Sequence, residues 1–178
     1  MKNLAPTERI LRDAAARREA LAAQWLSAAQ VSASLGSPPE SGGRRAAQFR
    51  RKGEVLGVYV TRSAPSYRYP TWQFCSDGQP VEHLAEILRA LRAFGPFQYE
   101  SFGLRRSTGW GEVEWFLSPH ALLNGSQPAE VLTVDPARVL GAVRIENSRA
   151  VIDLHPLLTR QEHASQGPDR VARPRKLR

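Results

Sequence analysis

Cysteine is nearly absent: Cys75 is the only one in 178 residues. A single thiol excludes an internal disulfide and a cysteine-rich zinc site. Long apolar runs are absent too. No stretch approaches the about 20 apolar residues that a membrane-spanning helix needs. The opening MKNLAPTERILRDAAARREA holds no apolar segment of the secretory-signal kind. These absences lead to the expectation of a reducing, cytoplasmic setting and no membrane partner. Negative charge is also scarce, with 17 Asp and Glu against 25 Lys and Arg, a formal net charge of +8 and a pI near 10.5. Such an excess does not set a fold. It favours polyanionic partners, because each neutralised phosphate releases condensed counterions, and it would suit an anionic membrane surface as well.

The signatures of catalysis are missing in the same way. No G-x-G-x-x-G or Walker loop is present. The histidines His83, His120, His155 and His163 do not pair at metal-ligand spacing. Glu112 and Glu114 stand two apart, which on a helix sends them to different sides and makes a poor acid–base pair. Asp153 and His155 alternate on one possible strand face, but no nucleophile is near. Cys75 has no histidine in a recognisable arrangement and reads as a buried or idle thiol. The expectation is a protein without catalytic, metal or cofactor sites.

What is present is a string of short elements with clear punctuation. Pro6 and Thr7 can open a helix running to about Ala23, with a thin apolar stripe of Ile10, Leu11, Ala14, Ala15, Leu21 and Ala22 that would pack on the next segment or on a second copy. Ser27 is an N-cap candidate for a helix over Ala28–Leu35, and Gly36 a stop. Ser37–Gly43 (SPPESGG) reads as an irregular turn. A second short helix, Gly43–Lys52, ends at Gly53. Residues 54–60 (EVLGVYV) and 67–74 (YRYPTWQF) are β-prone, Pro70 limiting the second run. Asp77-Gly78 is a tight turn, and Val81–Leu91 has helical period. Glu112–Leu117, Pro128–Leu132 and Pro136–Val143 read as short helices, the last opened by Asp135 and Pro136. Ala150–Leu154 is a possible strand.

Gly43–Lys52 has two opposed faces. Ala46 and Phe49 can dock on the preceding helix, while Arg44, Arg45, Gln48, Arg51 and Lys52 fall on the other side. That is what the second helix of a helix-turn-helix needs in a major groove. Arginine pairs with guanine and glutamine with adenine, and any of these side chains can instead hold phosphate. The hairpin that follows carries Arg62 at its tip and Arg68 beyond, as a small wing would. Tyr59, Tyr67, Tyr69 and Trp72 read as core. The plain alternative is a solvated basic helix beside a structural hairpin.

Residues 115–132 read WFLSPHALLNGSQPAEVL. Trp115, Pro119, Leu123, Gly125, Pro128 and Leu132 stand at the spacing W-L-x-[ST]-P-N-x-x-L-x-G-x-x-P-x-x-x-L, with His120 where that pattern has asparagine. This segment resembles the C-terminal toxin-binding domain of the Xre/MbcA/ParS-type antitoxins. The upstream YRYPTWQF is similar to a variant of that family in which a helix-turn-helix comes first. The resemblance covers roughly residues 25–145. It implies that the six residues belong to a toxin-binding unit, that the partner is a toxin of the RES-domain or a related kind, and that the protein represses its own operon, commonly as a dimer. The residues alone show less, a compact helical hairpin: Pro119 stops one helix, Gly125 permits an unusual backbone, Pro128 opens the next helix, and Trp115 and Leu132 close a small core.

The expected architecture is mainly α with a small antiparallel β-hairpin: a winged helix-turn-helix and a small C-terminal helical bundle. Its expected divisions are an N-terminal helix over 1–24 suited to dimerisation, a DNA-binding unit over 25–93, a connector over 94–111, a toxin-binding-like helical unit over 112–155 and a mobile basic tail over 156–178. The expected partners are operator DNA, a cognate toxin and a second copy of the chain. A stand-alone transcription regulator and an adaptor without DNA binding remain open as alternatives.

Overall fold

The computed structural model describes residues 5–61, 65–94 and 108–149. The expected hairpin tip with Arg62, residues 95–107 of the connector, the Ala150–Leu154 strand with Asp153 and His155, and the basic tail with His163 lie outside the described residues.

The protein is mainly helical with a small three-stranded antiparallel sheet. Helix α1 spans Pro6–Ala23, with proline in its first turn and the Glu8 carboxylate accepting from the Ala5 N–H at 3.2 Å. Strand β1, Leu26–Ser27, leads directly into α2, Ala28–Ser34. Ser27 and Gln30 close a reciprocal cap: Ser27 Oγ accepts from the Gln30 N–H at 3.3 Å, and Gln30 Oε1 accepts from the Ser27 N–H at 2.8 Å. The SPPESGG segment is more ordered than an irregular turn, because its two prolines pre-set φ and Pro39–Ser41 forms a 3-10 turn. Helix α3 spans Arg44–Lys52. It ends where Gly53 takes a left-handed φ of 78° and Glu54 N–H bonds back to the Phe49 carbonyl at 2.9 Å.

Strands β2, Val58–Val60, and β3, Ser66–Tyr69, pair as a hairpin with Tyr59 opposite Tyr67. The hairpin has a third member that the sequence pattern did not suggest: β1 lies on the far side of β3, with Leu26 opposite Tyr69. The outer edge of β2 is covered as well, since the Tyr59 N–H donates to the Thr108 carbonyl at 3.0 Å. Pro70 ends β3, and Thr71–Gln73 forms a 3-10 turn. The fully buried Gln73 uses its amide as a substitute strand, accepting from the Leu56 N–H at 2.7 Å and donating to the Leu56 carbonyl at 2.8 Å.

Helix α4 spans Leu84–Phe94 and α5 spans Trp110–Leu117. A 3-10 turn follows at Ala121–Leu123, then α6 at Pro128–Leu132. A helix over residues 136–149, α7, runs past the expected stop at Val143; the Asp135 carboxylate accepts from the Arg138 N–H at 3.0 Å near its start. Among the described residues, no helix is long and apolar enough to cross a membrane.

The larger apolar cluster joins Ala22 and Trp25 to Leu84, Ile87, Leu88, Phe116, Leu132 and Val143, so both sides of the connector contribute to it. Trp72 stacks on Phe116 at 4.5 Å, and Trp25 meets Trp110 at 5.7 Å. A smaller cluster of Val31, Leu35, Ala46, Val55 and Tyr69 sits between α2, α3 and the sheet. Glu112, fully buried, bonds Arg92 Nε at 2.9 Å and ties α5 to α4.

Candidate nucleic-acid interface

The seat of α3 is made by small residues. A Cβ built on Gly43 would lie 2.6 Å from Ala28 Cβ, so the start of α3 touches the start of α2 only because Gly43 has no side chain. Gly43 also has no capping oxygen to offer. The buried Ser32 of α2 supplies one instead, its Oγ accepting from the Ala46 N–H at 3.0 Å. Ala46 itself is fully buried and Phe49 packs beside it.

That docking leaves one face of α3 outside. Arg44, Arg45, Gln48, Arg51 and Lys52 are all exposed. The guanidinium of Arg45 lies 5.7 Å from the Phe49 ring centre. Lys52 reaches Glu54 at 3.9 Å, an exposed pair of small energetic weight. Among the described residues, Arg44, Arg45, Arg50 and Arg51 have no carboxylate within ion-pair distance. The face is therefore a patch of unneutralised positive charge with one amide in it.

Arg68 does not join this patch. It pairs with Val58 and Ser27 across the sheet, and Val58 belongs to the larger core. Side chains alternate along a strand, so Arg68 lies on the opposite sheet face from Tyr67 and Tyr69, which meet α3's side in the smaller cluster. Arg68 was expected on the wing, and on β3 it stands apart from the α3 cations, half-buried on the other sheet face.

The residue that does link α3 to the sheet is Arg50. Its guanidinium carbon lies 3.6 Å over the Tyr67 ring. Its stem crosses Gly57, where a Cβ would meet Arg50 Cδ at 2.6 Å and Tyr69 Cε1 at 3.1 Å. Burial raises the Tyr69 phenol above its ordinary value of 10.0, against the opposing pull of Arg50. The two groups act on one another, although neither Arg50 Nε nor the Tyr69 hydroxyl makes a well-directed hydrogen bond. Sequence reading passed over Arg50. The available signals were its position four residues after Ala46, on the inward side of the helix, and a glycine inside a β-prone run, which marks close approach.

The six residues of the 115–132 motif divide. Leu123 and Leu132 are buried in the larger core and Pro128 is buried at the start of α6. Exposing either leucine to a partner would forfeit about 1.5–3 kcal/mol, so they hold the fold instead of presenting a surface. Pro119 and Gly125 are exposed, Gly125 with a left-handed φ of 80°. Trp115 is half-buried and donates from Nε1 to Glu146 Oε2 at 3.1 Å; His120 Nε2 meets the same oxygen at 3.2 Å. His120 thus reaches α7, and its side chain makes no cap hydrogen bond to the 3-10 turn that it precedes. His83 contacts Glu86 at 3.2 Å and Glu82 at 3.6 Å. Cys75 is exposed where a buried thiol was one expectation. Among the described residues, no group of His, Cys, Asp and Glu is placed to hold a metal ion.

No protein-family model matches the chain, and no curated protein matches it. Among solved structures it is similar to the NMR structure of Rv2175c, with 26% identity, coverage of 71% of this chain and 80% of that chain, and a TM-score of 0.49.

Proposed function

We propose that the chain is a cytoplasmic DNA-binding protein in which α2 and α3 act as a helix-turn-helix and β2–β3 as a wing beside it. One observation carries this reading: α3 is seated on α2 through Gly43, Ser32 and Ala46, while its outward face presents Arg44, Arg45, Gln48 and Arg51 without a counter-charge among the described residues. A rigidly seated helix with such a face suits a major groove, where arginine reads guanine and glutamine reads adenine. The mobility of a labelled duplex from upstream of the gene tests it. The expected result is a shift that weakens steeply as salt rises; no shift at low salt sinks the reading.

The likeness of residues 115–132 to antitoxins extends the proposal to an autoregulating antitoxin. In that role the chain neutralises a cognate toxin and represses the shared operon, with Trp115, Pro119 and Gly125 at the surface of the unit that meets the toxin. Co-expression with an adjacent toxin-like reading frame separates this from a stand-alone regulator, because only an antitoxin restores growth. Exposed Ile10 and Leu11 on α1 support a dimer through that helix. Sedimentation of an Ile10→Glu, Leu11→Glu variant tests that part.

A further inference from the structure

We infer that Arg50 is a DNA-backbone contact held ready by Tyr67, where α3 meets β3. This rests on the DNA-binding reading above and names a residue outside the base-reading face. Arg50 is half-buried and held at both ends: its stem lies against Gly57, and its guanidinium carbon lies 3.6 Å from the Tyr67 ring centre. A ring beneath the guanidinium stabilises the charge, but it does not neutralise it. Beside it stands the Tyr69 hydroxyl, a neutral group that is itself buried. No carboxylate lies within ion-pair distance of Arg50 among the described residues. A half-buried cation without an anion is costly.

A phosphate oxygen resolves that cost. The planar fork of guanidinium donors matches phosphate geometry. The side-chain entropy that binding normally costs has already been given up to the stack on Tyr67. Arg50 borders the exposed cations of α3 on one side and the Tyr59–Tyr67 ring pair, 5.2 Å apart, on the other. A duplex lying on α3 brings its backbone past this arginine. Such a contact positions the protein on DNA without reading sequence.

The test is fluorescence anisotropy of two labelled duplexes, one from upstream of the gene and one of scrambled sequence, from 50 to 200 mM salt. Arg50→Met should weaken both duplexes by the same factor. It should also lower the slope of log affinity against log salt by about 0.9, so that the affinity lost across this range is about 3.5-fold smaller than for the wild type. A structural role for Arg50 would not move that slope. Arg50→Gln carries the same expectation should the methionine variant fail to fold. Tyr67→Leu keeps the charge but removes the platform: affinity falls severalfold with the slope retained. Unchanged slope and affinity in Arg50→Met and Arg50→Gln, with wild-type binding intact, overturn the inference and leave the DNA-binding reading standing. Absence of binding by the wild type removes both.

Discussion

Ser32 on α2 caps α3 across 14 residues of chain, its hydroxyl oxygen accepting the Ala46 N–H at 3.0 Å in a buried setting. The cap of the DNA-facing helix is therefore part of its docking surface, and cap and orientation stand or fall together. Ser32→Ala strands a buried backbone donor. It should cost about 1–3 kcal/mol, read as a lower denaturant midpoint with an unchanged slope in a urea titration. A loss below about 0.5 kcal/mol, the usual effect of an unremarkable surface change, would show that the bond does not support α3.

Gly43 and Ala28 set the distance between the same two helices. At Gly43 the backbone φ is −89°, so an alanine suffers no torsional strain there; the obstacle is steric, at 2.6 Å from Ala28 Cβ. Gly43→Ala should destabilise by about 1–3 kcal/mol, as overpacking does. Ala28→Gly in the same chain should restore most of that loss, and a double-mutant cycle of unfolding free energies measures the coupling. Two losses that simply add would mean that the contact is absent.

Tyr69 ties stability to alkaline pH. Burial raises its folded-state pKa above 10.0. A raised pKa means that the folded protein holds the phenolic proton more tightly than the unfolded chain does. The stability linked to that proton is whole below the unfolded pKa and is lost as pH rises through the folded value. Unfolding midpoints should fall above about pH 10, and Tyr69→Phe should flatten that limb. Phenolate absorbance should show one tyrosine titrating after the others. If the Phe variant keeps the same alkaline slope, another group is responsible.

Much of this was legible because local chemistry announces itself. Ser27 with Gln30, the glycines at 36 and 53, and the proline at 128 mark helix ends through hydrogen bonds and backbone torsions made within a few residues. The opposed faces of α3 follow from helical period, and the exposed set Arg44, Arg45, Gln48, Arg51 and Lys52 lies as that period requires. Strand β1 was not legible. It has only two residues, and its pairing with β3 joins positions about 42 apart, with no periodic pattern to reveal it. The same holds for Ser32, whose role as a cap depends on a helix it does not belong to. Arg68 and Arg50 look alike in sequence, and sheet alternation and a ring 3.6 Å away separate them. In the 115–132 segment, Leu132 lies in the core as its reading there required, whereas the burial of Leu123 and the half-exposure of Trp115 follow from packing that no spacing shows.

Docking of α3 on DNA is tested most directly by the affinity of Arg44→Ala, Gln48→Ala, Arg51→Ala for the upstream duplex beside its thermal unfolding midpoint. All three side chains are exposed. The midpoint should therefore move little, while affinity falls by about 100-fold or more if each contact contributes 1–3 kcal/mol. Wild-type affinity retained by a folded triple variant would contradict α3 as the element that meets DNA.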